Sequence, residues 1–328
     1  MNSKYEDKVF LTDQTGFDQL ALELFRFQYQ LNPVYQEYVN ALQIVGTDVQ
    51  RVEDIPFLPI QFFKTRDVRT TIFEPEAVFM SSGTTQTINS RHAVRSLSLY
   101  RQSFMRAFEE FYGPVNEWCI IGLLPSYLER SNSSLVVMAD ELVKLSGHPD
   151  SGFYLYEHEK LAGVLQALEA RQQKTLLIGV TFGLLDFAER FPMPLQHTII
   201  METGGMKGRR EEMTRQEVHA ILQKAFGLPC IHSEYGMTEL LSQGYSKGEG
   251  IFHTPAWMKV KIRQEDDPLD VRSSGTGIIN VIDLANIYSC CFIATEDVGR
   301  VYEDGSFEVQ GRVDNSDIRG CSLMVAGL

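Results

Sequence analysis

Nowhere in the 328 residues is there an apolar run long enough to cross a bilayer. The first residues, Met1 to Asp7, are polar and charged, with no apolar signal core behind them. The expectation is a chain without a targeting segment or membrane span, working in the cytoplasm. Positive charge is also short: 30 Lys and Arg stand against 43 Asp and Glu, a net −13. A protein whose main partner is a polyphosphate backbone shows a basic footprint, so nucleic acid is set aside. A nucleoside triphosphate is not, because a small anion needs only local donors. Cysteine is sparse: Cys119, Cys230, Cys290, Cys291 and Cys321 are odd in number and fall in no CxxC or Cys/His ligand spacing. That argues against a disulfide framework and a zinc site, and for reduced thiols. The chain has no G-x-x-x-x-G-K-[ST] loop and no G-x-G-x-x-G; Gly275-Thr276-Gly277 lacks the third glycine.

What is present is an ordinary globular composition, 44% hydrophobic and 22% charged, long enough for one large domain or two modest ones. Phe17, Leu20, Leu24, Phe27 and Leu31 recur at helical spacing, Asn32-Pro33 stops that helix, and Tyr35, Tyr38, Val39 and Leu42 suggest a second. From Ala77 the pattern alternates. Strands are expected at Ala77 to Met80, Trp118 to Leu124, Thr175 to Val180 and His197 to Met201. Helices are expected at Ser96 to Phe111, Leu135 to Leu145 and Leu161 to Leu168, and after the Thr214/Glu217 capping box. This predicts an α/β fold of layered sheets with flanking helices. After Gly250 the chain turns β-rich. Met258, Val260 and Ile262 alternate with Lys259, Lys261 and Arg263, which predicts one wet face. Asp304-Gly305 is a hairpin turn signal. The division expected is residues 1–250, a helical segment and α/β core, and 251–328, a β-rich subdomain.

Several short motifs can carry chemistry. Ser81-Ser82-Gly83-Thr84-Thr85 offers hydroxyls and backbone N–H groups that suit phosphate oxygens, although it also reads as a polar strand-to-helix turn. Gly204-Gly205 would let a flat ligand approach the backbone, or simply end a strand. Glu234-Tyr235-Gly236-Met237-Thr238-Glu239, after the apolar run Pro229 to Ile231, combines a ring for stacking, a hydroxyl for a phosphate and a carboxylate for Mg²⁺. The plain alternative is a loop with a solvated glutamate. Thr295-Glu296-Asp297 and Gly311-Arg312 supply a carboxylate and a guanidinium able to bond ribose hydroxyls.

In this order the motifs resemble the adenylate-forming superfamily of acyl-CoA synthetases, luciferases and peptide-synthetase adenylation domains, from about Pro56 to the carboxyl end. Ser81 to Thr85 resembles that family's phosphate loop and Gly204-Gly205 its adenine-contacting glycines. Tyr235 to Glu239 matches its Y-G-x-T-E motif, and Thr295-x-Asp297 resembles its ribose-binding T-G-D with Glu296 in place of glycine. Gly311-Arg312-Val313-Asp314 resembles its G-R-x-D hinge. The family loop often ends in a lysine; Gln86 to Ser90 contains none, and Arg91 is the candidate substitute. The small domain that usually follows the hinge is expected to be missing. Phe57 to Ile60, Leu124 to Arg130 and Arg319-Gly320-Cys321-Ser322-Leu323 are similar to segments of the LuxE-like acyl-protein synthetase branch, which holds the acyl group on a cysteine near the carboxyl end.

The resemblance implies ATP and Mg²⁺ as cofactors and a carboxylic acid as substrate. Ser81, Ser82, Thr84 and Thr85 around Gly83 would grip phosphates, and Thr238 the α-phosphate. Glu239 would hold Mg²⁺. Tyr235, Gly236, Gly204 and Gly205 would surround adenine, and Asp297 and Arg312 the ribose. Cys321, two residues from Arg319, would take the acyl group and pass it to a partner protein. Coenzyme A as acceptor is the second reading. A nucleotide-binding module that has lost catalysis is the third. A cysteine hydrolase pairing Cys321 with His92 or His232 is the fourth, without local sequence support. Tyr127, Thr181 and Phe182 are candidates for the acyl pocket by position.

Overall fold

The computed structural model describes residues 4–81, 88–124, 132–204 and 213–313. The first long helix, Phe17–Leu31, forms where the periodicity predicts it, but its inward face differs from the predicted stripe. Phe17, Leu20, Leu24 and Phe25 are buried, whereas Leu31 is 45% exposed. The face turns because Gln28 is needed inside. Its Nε2 donates to the Asn286 and Ile287 carbonyls, both at 3.0 Å, and its Oε1 accepts from Cys291 N at 2.9 Å. A buried amide is tolerated only when so paired. Asn32 ends this helix and caps the next, Pro33–Ala41, by accepting from Tyr35 N at 3.1 Å, with Pro33 opening the new turn.

The strands are β1 Leu58–Pro59, β2 Ala77–Met80, β3 Arg91–Val94, β4 Cys119–Leu123, β5 Gly152–Phe153, β6 Thr175–Gly179, β7 Thr198–Glu202 and β8 His232–Tyr235. They continue with β9 Gly244–Ser246, β10 Phe252–His253, β11 Met258–Arg263, β12 Val271–Arg272, β13 Gly275–Asp283, β14 Phe292–Val301 and β15 Phe307–Arg312. Among the described residues, thirteen join one mixed sheet in the order β12-β11-β13-β14-β15-β10-β9-β8-β7-β6-β4-β5, with β1 beside β14; β2 and β3 form a separate hairpin. The fold is thus mixed α/β, as the alternation predicts.

One half, β4 to β8, is parallel. Its strands are near-continuous apolar runs because both faces are covered. Successive side chains point to opposite faces. Ile120, Leu176, Ile178 and Met201 pack on one side with Met138 and Leu142 of the helix Ser134–Ser146. Cys119, Ile121, Leu123, Leu177 and Ile200 pack on the other with Leu161, Leu184, Phe187 and Leu222. Thr214 and Glu217 close the predicted capping box on the helix Arg215–Phe226.

The other half, β8 to β15, is antiparallel. Strand pairing runs on across residue 250, since β10 bonds to both β9 and β15. The predicted hairpin turn around Asp304-Gly305 joins β14 to β15. The predicted wet face of β11 is a correction. Lys261 is only 9% exposed and pairs with Glu53 at 3.3 Å. Arg263 bonds the Asn280 side chain at 2.6 Å and the Thr295 carbonyl at 2.8 Å, and burial pulls its pKa down. The amino-terminal segment covers this face, so its charges are paired rather than solvated.

Strands β13 and β14 approach closely at Gly299, where an added methyl group would overlap the Glu308 carbonyl and lie 2.7 Å from Ile279 Cδ1. Overfilling a packed position of this kind costs about 1–3 kcal/mol. Gly299→Ala is expected to lower stability by that amount, read as a lower urea midpoint with an unchanged slope; an unchanged midpoint would mean the strands can separate there freely.

Candidate functional site

The carboxyl ends of parallel strands are where ligands bind in open α/β sheets, and several of the sequence-predicted residues lie there. Tyr235 ends β8, which runs His232–Tyr235; the apolar residues Pro229 to Ile231 precede the strand rather than form it. The Tyr235 ring packs edge-on against Phe307 at 5.3 Å and Phe252 at 6.0 Å. Its hydroxyl donates to Asp297 Oδ2 at 2.8 Å. Asp297 Oδ1 accepts from Arg312 Nε at 2.9 Å, across the β14/β15 ladder where the two residues face each other. Asp297 is buried whereas the Arg312 side chain is 74% exposed, so its other nitrogens are open to solvent. Asp297 first, then Tyr235 and Glu296, raise the Arg312 pKa further. Burial first, then Asp297, pushes the Tyr235 phenol well above its ordinary value.

Glu239 belongs to the same cleft. It is 4% exposed, which contradicts a solvated glutamate. Burial raises its pKa, while Ser90, then the Arg312 and Lys64 charges, pull it back. Ser90 in turn is bonded to Ser81: Ser90 N donates to Ser81 Oγ at 2.9 Å, and Ser81 N to Ser90 O at 3.1 Å. Tyr235, Asp297 and Arg312 are therefore bonded to one another although far apart in sequence, and Ser90, bonded to Ser81, and the Arg312 charge both act on Glu239. Gly236 lies in contact with the Glu234 carboxylate, which would overlap any side chain placed there. Gly204 follows β7, its N–H donating to Glu202 Oε1 at 2.7 Å. Ser82, Gly83, Thr84, Thr85, Gly205 and Cys321, with Tyr127 and Arg319, lie outside the described residues.

The turn carrying Thr238 and Glu239 is fixed by residues that the motif reading missed. His92 Nδ1 bonds the Thr238 carbonyl at 2.8 Å, and Asn286 Nδ2 donates to the Glu239 carbonyl at 2.7 Å. Asp283 accepts from Leu241 N at 2.7 Å, Ser242 N at 3.0 Å, Ser242 Oγ at 2.6 Å and Ala285 N at 3.1 Å. His92 is a core residue, and burial pulls its pKa down to about 4. The signal available in sequence was slight, an aspartate closing an apolar strand.

A second set of titratable groups lies beside Gly204. Buried Glu202 bonds Thr181 Oγ1 and sits 3.9 Å from His219 Nε2 and 4.0 Å from Arg215 Nε. Burial opposes its charge, but His219, Thr181 and Arg215 prevail and lower its pKa. Among the described residues Glu234 has no such cations: burial first, then the Glu202 charge, pushes its carboxyl up to about 8. Tyr112 bonds His232 at 3.2 Å, and burial, then Lys247, pulls the His232 pKa down to about 4. Thr181 and Phe182 are buried at the start of the helix Thr181–Arg190.

Among the described residues no cluster of three or more His, Cys, Asp or Glu is placed to hold a metal. The described cysteines Cys119, Cys230, Cys290 and Cys291 are free thiols. No described helix is long and apolar enough to cross a membrane.

A family model described as acyl-protein synthetase, LuxE, matches residues 9–327. A long-chain-fatty-acid–luciferin-component ligase of Aliivibrio fischeri is 21% identical, covering 100% of this chain and 94% of the relative. A Vibrio harveyi protein of the same name is 23% identical over 92% of this chain and 85% of its own. Among solved structures, a 2-hydroxyisobutyryl-CoA ligase in complex with 2-HIB-AMP and CoA superposes with TM-score 0.62 at 11% identity, over 90% of this chain and 74% of that one. ATP-bound MatB from Rhodopseudomonas palustris gives TM-score 0.54 at 16% identity over 74% of this chain, which spans 50% of MatB. The fold is that of the adenylate-forming large domain.

The Glu234 carboxyl yields a pH prediction. An unfolded glutamate titrates near 4.3, so between about 4.3 and about 8 the folded state holds a proton that the unfolded state has released. This contribution to stability is present at low pH and is lost as pH rises through the folded value. Urea titrations at about pH 5 and pH 8 should show wild type losing more stability across the window than Glu234→Gln. Equal losses in the two proteins would mean that Glu234 titrates normally.

Proposed function

Because the chain belongs to the LuxE acyl-protein synthetase family, we propose that it activates a carboxylic acid of the fatty-acid class with ATP and passes the acyl group to a thiol. The observation that best supports the reading is the bonded set Tyr235, Asp297 and Arg312, whose arginine charge acts on Glu239 as does Ser90, itself bonded to Ser81. The long-chain fatty acid is carried over from the names of the two relatives.

In the first step a carboxylate oxygen of the substrate bonds to the α-phosphorus of ATP. The bond from that phosphorus to the bridging oxygen breaks, and pyrophosphate leaves with the electron pair. Mg²⁺, when bound, neutralises phosphate oxygens during this displacement. The protein's part is to hold and orient. Asp297 and Arg312 accept from and donate to ribose hydroxyls, and the open Arg312 nitrogens make that exchange possible without breaking the pair. Tyr235, braced by Phe252 and Phe307, offers a fixed ring beside the base. The Thr238 hydroxyl donates to the α-phosphate from a turn whose carbonyl His92 holds. Ser81, with Ser82, Thr84 and Thr85 beyond it, grips the outer phosphates, and Gly204 and Gly205 leave room for adenine.

In the second step a thiolate attacks the acyl carbon, the thioester forms, and AMP leaves; the thiol proton has gone to solvent or a nearby base. Cys321 is the proposed acceptor, with a partner protein as the next. Coenzyme A as acceptor is the competing reading, favoured by the fold shared with CoA ligases.

Glu239→Gln keeps the shape of the side chain and removes the charge that a cation needs. The variant should lose Mg²⁺-dependent, carboxylate-dependent ATP–pyrophosphate exchange while melting like wild type; wild-type exchange would return Glu239 to a structural role. Cys321→Ser should still exchange pyrophosphate but retain no labelled acyl group after denaturation, whereas wild type retains label that hydroxylamine releases. Absence of that label in wild type would make coenzyme A the leading acceptor.

A further inference from the structure

Strand β7 ends in Glu202, a carboxylate only 5% exposed. Register decides which way it points. Glu202 lies opposite Ser233, and side chains two apart on a strand share a face, so Glu202, Ser233 and Tyr235 turn the same way. The two oxygens of Glu202 have different partners. Oε1 accepts from Gly204 N at 2.7 Å and from Thr181 Oγ1, while Thr181 N donates to the Gly204 carbonyl at 3.5 Å. The turn at Gly204 is thereby held through its N–H and its carbonyl. Oε2 lies 4.0 Å from Arg215 Nε and 3.9 Å from His219 Nε2.

Arg215 reaches from that carboxylate to the other side of the cleft. It opens the helix Arg215–Phe226, whose start the Thr214/Glu217 capping box fixes. Its guanidinium lies over the Phe252 ring, 5.0 Å from the centre, and Nη1 donates to the Val309 carbonyl at 3.1 Å. Phe252 is one of the two rings that brace Tyr235, and Val309 shares strand β15 with Arg312. His219 stands as near to Glu202 as Arg215 does, so neutralising the carboxylate is not what sets Arg215 apart. Its reach to β10 and β15 is. A planar guanidinium can serve a carboxylate, a carbonyl and an aromatic face together, whereas an ammonium acts as a point charge.

We propose that Glu202 and Arg215 are a positioning pair that fixes the width of the slot for the nucleotide base, Glu202 holding the Gly204 wall and Arg215 the Tyr235 wall. The inference rests on the nucleotide reading of the cleft. Neither side chain needs to touch the nucleotide. A base gains contact on both faces only where the separation of the walls matches its thickness, since a gap of about 0.5–1 Å already forfeits a quarter to a half of the dispersion energy. Walls tied through one ion pair hold that separation before the nucleotide arrives, and such preorganisation strengthens binding. The pair therefore bears on nucleotide affinity, and neither on the acid nor on the outer phosphates.

The test compares the full chain as wild type, Arg215→Gln, Arg215→Lys, Glu202→Gln and the double variant Arg215→Gln with Glu202→Gln. AMP and magnesium tripolyphosphate are each titrated calorimetrically, and acid-dependent ATP–pyrophosphate exchange gives KM values for ATP and for the acid. Arg215→Gln should raise the AMP Kd and the ATP KM about tenfold, with tripolyphosphate binding, the acid KM and kcat close to wild type. Glu202→Gln keeps an acceptor for Gly204 N and loses the ion pair, so its effect should match. The double variant should be no worse than either single one, the mark of two groups acting as a unit. Arg215→Lys should fall between, keeping the charge and losing the fork. Should Arg215→Gln fail to fold, Arg215→Lys and Glu202→Gln carry the same comparison. Wild-type AMP binding and ATP KM in the variants, with exchange intact, would overturn the pair and leave the adenylation reading standing. Tripolyphosphate and acid affinities that fall along with AMP would mean a cleft disordered as a whole, and would overturn it too. AMP binding that the variants weaken, in a protein without acid-dependent exchange, would support the pair and remove the adenylation reading.

Discussion

Asp283 closes strand β13 with no exposure to water, and its carboxylate accepts from two backbone amides after Glu239, from Ser242 Oγ and from Ala285 N. Burial raises its pKa and these donors lower it. The acceptors of one side chain thus satisfy a turn that would otherwise bury bare N–H groups, a cost of about 1–3 kcal/mol each. The same Ser242 hydroxyl meets Trp257 Nε1 at 3.0 Å and Ser103 Oγ at 3.0 Å, so the turn is tied to the helix Leu97–Tyr112 as well. One turn further on, Asn286 holds the Glu239 carbonyl while its own carbonyl accepts from Gln28. The position of Glu239 therefore depends on contacts reaching back to the first long helix, and on a carboxylate sealed from water.

Around this fixed turn the protein keeps charge in places where charge is costly. Glu202 lies beside Arg215 and His219, but Glu234 on the adjacent strand turns to the opposite face, where no cation among the described residues pairs with it. Burial pushes one carboxyl up while partners hold the other down. Such opposed environments cluster where a fold has a use for them, because a purely structural core would place apolar residues there. Their location at the carboxyl ends of β7 and β8 puts the conflict beside the cleft that Tyr235, Asp297 and Arg312 line.

What was legible in sequence was local. The capping box at Thr214, the turn at Asp304-Gly305 and the helix Phe17–Leu31 each depend on residues a few positions apart, and each forms. The common cleft of Glu239, Asp297 and Arg312 was readable only because their order resembled a family. Spacing alone places no two of them together. The burial of Glu239 and the covering of Lys261 could not be read, because both depend on segments more than a hundred residues away. Gln28 shows the same limit from the other side: a polar residue broke the expected stripe, and its reason lies in the backbone at 286–291.

The bond from Val313 N to the Glu296 carbonyl, 2.9 Å long, fastens the end of β15 one residue from Asp297. Cys321 follows Val313 by eight residues, and eight residues span at most about 29 Å by any path. If Cys321 is the acceptor proposed above, its thiol would not have to find the nucleotide site by free diffusion. Its local concentration would then be set by contour length, not by how much protein or coenzyme the cell contains, so a newly formed adenylate would meet its own chain before it met a competitor.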